Sequence, residues 1–515
     1  MQLINSRWTE MDYRHKLPPG TSRPSVLGTL ACKTWPFDYV EKCRARYGDR
    51  FTLHPIDMPP LMFLSSPRDI RAIATAPPDV LHAGGGGGLL APVFGERAFM
   101  LLERGEHASV REAITPMFHN RMVQGHAGTI AEVVEREVSS WPADEAVSLS
   151  PYLDRLTLKV MLRIAIADRG PICEEPVYEE LCQHILKMLS VMTTPLLQEP
   201  RLRHLPGWRG RWRRFIVDRE AVDELVYGLI ARRREWGVGA DSPGNDSPGN
   251  DSPGDNSPGN DFPGDKDRQG DLLELLIAAR NPDGSPLSDK QVRDNLVSTI
   301  VAGHETTAAT LGWTLQLLAH NPAVQDRLIE ELDGGSDKTK DGSDGIVGWS
   351  DRTGEDRSGG PYMNAVIQEA LRHKPTFLFL PPRVVLQPTE IGGWDYRPPA
   401  QLLACTYLLH HDPELYSDPH TFLPERFLQG PPRPGTLLPW GLGRKRCPGR
   451  QIALIEIRQV LQRVLSRWLV LPASQRIAQP RWRTALLAPD PKSKLILCAR
   501  HSLRPGAARA KRDSI

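Results

Sequence analysis

A mainly α-helical fold with a small β region is the class this sequence predicts, and three stretches carry the expectation. A helical pattern opens at Ser288-x-x-Gln291, a capping-box signature, and runs to His320, where Asn321-Pro322 stops it. At about 1.5 Å per residue it forms a rod of roughly 48 Å, long enough to cross a whole molecule. From Gln451 to Val470, Ile452, Ala453, Ile457, Val460, Leu461, Val464 and Leu465 recur at the spacing of an amphipathic helix. Strand-like character shows in short runs, with Tyr47-Gly48-Asp49-Arg50-Phe51-Thr52-Leu53 as the entry to a small sheet.

Composition bounds the rest. The chain has 515 residues, a length that by itself suggests two or three domains. Its formal net charge of +2 gives no reason to expect a nucleic-acid partner. Cys32, Cys43, Cys173, Cys182, Cys405, Cys447 and Cys498 are scattered without CxxC spacing, which argues against a disulfide framework or a zinc site and fits a reducing compartment. Residues 1–16 form a polar tail with no apolar run long enough for a signal peptide or a transmembrane anchor, so a cytoplasmic protein is expected.

In chain order, helical and strand-like patterns alternate from about Phe37 to Arg71. Five consecutive glycines, Gly84 to Gly88, have no place in a helix or strand interior and mark either a mobile loop or a plain turn. Gly105-Glu106-His107-Ala108-Ser109-Val110-Arg111 opens a helix in which His107 and Arg111, four apart, share a face. A long helical stretch from Tyr178 to Arg234 is broken at Pro195, Pro200 and Pro206. Its arginines, Arg201 to Arg214 with Trp208 and Trp212 interleaved, suit a solvated helix face or, alternatively, a membrane surface or an acidic carrier.

Ser242 to Asp265 repeats Ser-Pro-Gly-Asn-Asp five times with small variations. Pro-Gly favours turns and there is too little apolar content for a core, which predicts a disordered insert over about 238–270. A second such insert is expected over 334–360. Inside the long helix, Ala302-Gly303-His304-Glu305-Thr306-Thr307 sets polar residues into an apolar rod, where hydroxyls can bond back to carbonyls and bend it. Glu369-Ala370-Leu371-Arg372 is an i,i+3 acid–base pair. Phe377, Leu378 and Phe379, and later Leu486 and Leu487, are apolar stretches that suit either a greasy pocket or ordinary core.

The chemistry concentrates in Leu437-Leu438-Pro439-Trp440-Gly441-Leu442-Gly443-Arg444-Lys445-Arg446-Cys447-Pro448-Gly449. With Pro448 at a first helical position, Cys447 would sit at a helix N-terminus, whose dipole, together with Arg444, Lys445 and Arg446, would depress the thiol pKa. A thiolate is what a metal needs. Gly441, Gly443 and Gly449 would let backbone lie close against a flat ligand and aim N–H groups at the sulfur.

The pattern aromatic-x-x-Gly-x-cation-x-Cys-x-Gly resembles the haem-binding loop of the cytochrome P450 superfamily, with Trp440 where that family usually has Phe and Lys445 where it usually has Arg. The resemblance extends from about Leu17 to Cys498 and implies one large P450-fold unit over 17–500 with a long central helix above a haem, flanked by the polar tail 1–16 and a basic tail 501–515. It implies that Cys447 is the iron ligand. His107, Arg111, Arg383 and Lys445 would hold the haem propionates, while Trp440, Gly443 and Gly449 shape the haem-binding loop. Thr306 would hold bound O2 by a hydrogen bond, Glu305 would relay protons, and Gly303 would leave room for O2. Glu369 and Arg372 with Arg426, from Pro424-Glu425-Arg426-Phe427, would form a structural lock.

The activity so implied is that of a soluble bacterial-type haem-thiolate monooxygenase. It would insert one oxygen atom from O2 into a hydrophobic small molecule, by hydroxylation or epoxidation, in secondary metabolism. The cofactor is heme b. The chain has no dinucleotide or flavin motif and no ferredoxin-type cysteine run. Electrons from NAD(P)H would therefore arrive through a separate ferredoxin or flavodoxin with its reductase, docking on Arg444, Lys445, Arg446 and Arg450 of a monomer. The alternatives are a self-sufficient peroxygenase or isomerase of the same fold, and a non-catalytic haem-binding gas sensor.

Overall fold

The computed structural model describes residues 17–21, 25–55, 60–82, 90–102, 104–167, 175–193, 203, 205–236, 270–337, 360–398 and 400–500. The two tails, the five glycines, the Ser-Pro-Gly repeat, Cys173, Arg201, Pro195, Pro200 and the side chain of Arg444 lie outside these residues.

The first helices are α1 (Val26–Thr34), α2 (Pro36–Tyr47), α3 (Pro67–Thr75), α4 (Ala91–Phe94), α5 (Arg104–Ile114), α6 (Asn120–Gly125), α7 (Ala127–Ser139) and α8 (Ser150–Ala165). After them come α9 (Glu175–Met192), α10 (Arg209–Trp236), α11 (Leu272–Ala278), α12 (Asp289–His320), α13 (Pro322–Asp337), α14 (Pro361–His373), α15 (Thr406–His410) and α16 (Arg450–Arg467).

The strands are β1 (Arg50–Leu53), β2 (Leu61–Leu64), β3 (Leu81–His82), β4 (Ala146–Val147), β5 (Arg383–Val385), β6 (Thr389–Ile391), β7 (Trp394–Tyr396), β8 (Gln401–Ala404), β9 (Trp468–Pro472), β10 (Pro480–Arg483), β11 (Leu486–Pro489) and β12 (Leu495–Ala499). A five-stranded sheet runs β1-β2-β8-β5-β3, with β2 parallel to β8 and its other neighbours antiparallel. The order β4-β12-β9 forms a second sheet, and β6–β7 and β10–β11 are hairpins.

The central rod is α12. Ser288 accepts from the Gln291 N–H while the Gln291 side chain accepts from Ser288, the reciprocal cap expected of this sequence. A helix buried on nearly every face has to be held by neighbours all round. It packs along α8 and also against α10, α14, α16 and β11. Five threonine hydroxyls, of Thr299, Thr306, Thr307, Thr310 and Thr314, donate to the carbonyl four residues back, at 2.8 to 2.9 Å.

Three expected boundaries move. Strand β1 starts at Arg50, after Gly48 (φ 88) turns the chain out of α2. The second insert begins later than 334, because α13 carries its hydrogen-bond ladder through Gly334 to Asp337. The C-terminal helix stops at Arg467 instead of Val470, since Trp468–Pro472 is captured as a strand by β12, with Trp468 opposite Ala499. Aromatic and β-branched residues suit that extended pairing better than a frayed helix end.

Candidate functional site

The loop before Cys447 is tied down from below. Glu369 and Arg372, both fully buried, pair through two hydrogen bonds of 2.7 and 2.8 Å. Glu369 also accepts from the Leu423 N–H (2.8 Å) and from Arg426 Nε (3.2 Å). Arg372 spends its remaining donors on the carbonyls of His410, Pro419 and Thr421. The chain of contacts then reaches the loop, because His410 Nε2 accepts from the Leu438 N–H at 2.9 Å. A charge pair so completely hydrogen-bonded resists rearrangement, since breaking any member strands a buried charge.

The loop closes on itself where the Cys447 N–H donates to the Trp440 carbonyl (2.8 Å). Gly441 (φ 73) and Gly443 (φ 68) occupy the left-handed region. A Cβ on Gly443 would lie 2.6 Å from the Ala74 carbonyl oxygen of α3, so this glycine makes room for protein backbone. Gly449 caps α16 and donates its N–H to the Cys447 sulfur. Pro448 is therefore outside the helix instead of at its first position, and Cys447 stands before the Gly449 N-cap instead of next to the first helical residue.

The expected depression of the Cys447 thiol pKa is not found. Burial pushes the thiol up, outweighing the Gly449 N–H and the charges of Arg111, Arg446 and Arg450. The side chain nonetheless retains accessible surface. A thiol so surrounded would favour its neutral form, and a metal held there would favour the thiolate.

Helix α5 is stitched to this loop. Arg111 Nη2 donates to the Arg446 carbonyl (2.8 Å) and Lys445 Nζ to the Leu102 carbonyl (3.0 Å). His107 is buried beside Phe99, and its pKa falls to about 4 through burial, Lys445 and Arg111. Arg383 is buried at the start of β5, with Nη1 toward the Pro381 carbonyl (3.4 Å).

Haem fits these residues. Burial, Lys445 and Arg111 depress proton binding at His107 with no carboxylate among the causes, a cluster that a ligand's own carboxylates would complete. Among the described residues no group of three His, Cys, Asp or Glu could hold a bare metal ion. A lone accessible thiol therefore suits a metal whose other ligands come from a ring.

On α12, Ala302, Gly303 and Thr306 are the partly exposed positions in an otherwise buried middle, and Thr306 Oγ1 donates to the Ala302 carbonyl (2.8 Å). A Cβ on Gly303 would meet Met161 Sδ of α8 at 2.6 Å, so its missing side chain lets two helices approach. Glu305 is buried near Asp154, Arg483 and Thr484, and burial lifts its pKa to about 7.

The apolar stretches divide. Leu378, Phe379 and Leu487 belong to core under the five-stranded sheet, with Phe379 edge-on to Phe63 at 5.8 Å. Phe377 and Leu486 instead pack with Ala309 of α12 and Ala488. In β11, alternation along the strand sends Leu486 and Leu487 to opposite sides, which a run of consecutive apolar letters conceals.

Sequence reading missed Asp154, Thr157, Arg483 and Glu456. Thr157 Oγ1 lies 2.9 Å from the buried His304 Nδ1. Glu456 is fully buried on α16, and burial lifts its pKa far above the carboxylate range. Its signal was present, because it falls between Ile452 and Val460 on the apolar stripe. Asp154 and Arg483 carried no local signal, being joined only by the fold.

A lone cysteine on a glycine loop, a cation cluster beside it and a long helix with an acid–alcohol pair define a haem-thiolate protein. A family model for cytochrome P450 matches residues 18–497, and the chain belongs to that family. It is thus a haem-dependent monooxygenase supplied with NAD(P)H-derived electrons by redox partners. Cytochrome P450 135B1 of Mycobacterium tuberculosis is 28% identical over 475 residues, covering 92% of this chain and 89% of that protein. Cytochrome P450 135A1 of the same organism is 29% identical, covering 89% of each. Among solved structures, a retinoic acid-bound cyanobacterial CYP120A1 superposes with a TM-score of 0.72 at 20% identity over 94% of this chain and 100% of that one. The cytochrome P450DA heme domain gives 0.73 at 20% over 96% and 100%. Among the described residues no helix is long and apolar enough to cross a membrane.

Proposed function

We propose that this monooxygenase hydroxylates or epoxidises a hydrophobic small molecule in secondary metabolism, with Cys447 as the axial iron ligand. The observation that carries the reading is the exposed residue Cys447, its sulfur accepting from the Gly449 N–H, at the end of a loop locked through His410. When bound, a thiolate-ligated haem supplies O2 activation and oxygen insertion.

The protein's own part is holding and proton handling. His107, Arg111, Lys445 and Arg383 grip the propionates, His107 as a neutral hydrogen-bond donor. The Thr306 hydroxyl, whose proton the Ala302 carbonyl holds at rest, would turn that proton toward the oxygen site, and Glu305 would resupply it. Phe377 and Leu486 beside Ala309 support an apolar substrate wall. Arg446, exposed, and Arg450 beside it favour an acidic ferredoxin or flavodoxin as the immediate donor. A monomer working in the cytoplasm fits this arrangement.

The test is the spectrum of the reduced protein under carbon monoxide. A strongly red-shifted Soret band that Cys447→Ser abolishes is expected; a band that survives the substitution rejects the assignment. Candidate substrates are then found as compounds that convert the haem from low to high spin. Turnover that depends on a reductase, and is not sustained by peroxide alone, separates a monooxygenase from a peroxygenase.

A further inference from the structure

The β10–β11 hairpin turns in two residues, since Arg483 pairs with Leu486, leaving Thr484 and Ala485 at the tip. Such turns need a positive φ at their first position and usually place Gly, Asn or Asp there. Here it is Thr484, at φ 48, a strained conformation for a β-branched side chain. Thr484 is buried, and its hydroxyl reaches toward Glu305 Oε1 at 3.5 Å. Next to it, Arg483 grips Asp154 of α8 through bonds of 2.8 and 3.0 Å. Both members of that pair are about 14% exposed, whereas Glu305 beside them is buried.

A cavity of about 30 Å³ touches the same wall; its lining is largely apolar, with Ser150, Gln316, Arg483, Asp490 and Ser493 among its polar members, and Arg483 is the residue it shares with the surroundings of Glu305. A single water needs roughly 10–15 Å³ by this measure, so one or two fit. Its α12 lining, Ala308, Ala309, Gly312 and Gln316, stands three, four, seven and eleven residues beyond Glu305, on the same helix face. Thr306 lies on the adjoining, partly exposed face.

We propose that Arg483, Thr484 and Asp154 form a station that loads Glu305 with protons from this cavity, which makes them positioning residues for oxygen activation. The inference rests on the proposed relay role of Glu305. A water that passes from the cavity beside Arg483 gives one proton to the Glu305 carboxylate, and the hydroxide it leaves regains a proton from bulk solvent through the cavity. The resulting carboxylic acid releases that proton toward Thr306 and returns to carboxylate, so no charge accumulates. The groups facing Glu305 act in opposed directions: Arg483 and the Thr484 hydroxyl favour the carboxylate, while Asp154 and burial favour the acid. With the balance near pH 7, loading and unloading are both accessible. His304, the neighbour on α12, is held neutral by burial.

The test combines infrared difference titration of the haem-loaded protein with product formed per O2 consumed. Glu305→Gln identifies the carboxyl band. Arg483→Met is expected to raise its midpoint by about one pH unit or more, and Arg483→Lys to restore it. Thr484→Gly relieves backbone strain, so it is expected to melt higher than the parent while raising the midpoint and lowering coupling; Thr484→Ser restores both. Because that variant gains stability, lost coupling is not a folding defect. Unshifted midpoints in both Arg483→Met and Thr484→Gly, with Glu305→Gln still uncoupled, overturn the station and leave the relay standing. Unchanged coupling in Glu305→Gln overturns the relay and the station together.

Discussion

Glu369 and Glu305 are both buried glutamates, each near an arginine, and they are finished differently. Glu369 accepts from Arg372 twice, from Arg426 and from the Leu423 N–H. Glu305 receives a single distant hydroxyl and feels Arg483 through space, while Arg483 makes its hydrogen bonds to Asp154. A buried carboxylate with all its lone pairs occupied is a fastener, whereas one left short of donors is free to take up a proton. The same side chain thus supports the cysteine loop in one place and is poised for proton transfer in the other.

The largest test of this contrast is Glu369→Ala, which leaves Arg372 charged and buried. A loss of about 3–5 kcal/mol in unfolding free energy is expected, with poor haem retention measured by absorbance. Survival of both would mean that the lock carries no load.

Next comes acid. Around the lock, burial and Arg372 hold His410 down to about 3, and His373, also buried, is held to about 2. Groups with depressed folded values contribute stability fully above the unfolded value near 6.5 and lose it as pH falls below that point. Each histidine is expected to cost about 2 kcal/mol between pH 7 and 5, read from urea midpoints.

Glu305 should slope the other way. Its folded value near 7 lies above the unfolded 4.5, so its cost grows as pH rises from 4.5 to 7 and is complete above that. Glu305→Gln is expected to stabilise the protein at pH 8 by up to about 3 kcal/mol and to have little effect at pH 4.5. Equal effects at both pH values would place Glu305 with the fasteners.

The smallest effect sharpens the description of α12. Gly303→Ala should cost about 1–3 kcal/mol by crowding Met161, and Met161→Ala should recover part of it in a double-mutant cycle. Additivity would leave Gly303 with only its expected role beside bound oxygen.

Legibility followed the range of the interactions. The cap at Ser288, the stop at Asn321 and the Glu369–Arg372 pair are local events, and the letters a few residues apart specify them. The limits appear where partners are distant. Gly303 reads as an opening in the rod, while the side chain that its missing Cβ admits, Met161, comes from another helix. Leu378 and Phe377 are adjacent and apolar, yet they serve different clusters. The Cys447 loop displays its cations openly, while the burial that outweighs them is a property of everything packed around it.

By itself the sequence determined a long capped helix, a cysteine on a glycine-rich loop and the acid–base spacing beneath it, because backbone geometry and side-chain spacing act over a few residues. Only the tertiary structure decided how tightly Glu305 is sealed from water and that Arg483, 178 positions further along the chain, governs it with Asp154. Desolvation and long-range charge depend on the three-dimensional surroundings of an atom, which no stretch of neighbouring letters contains.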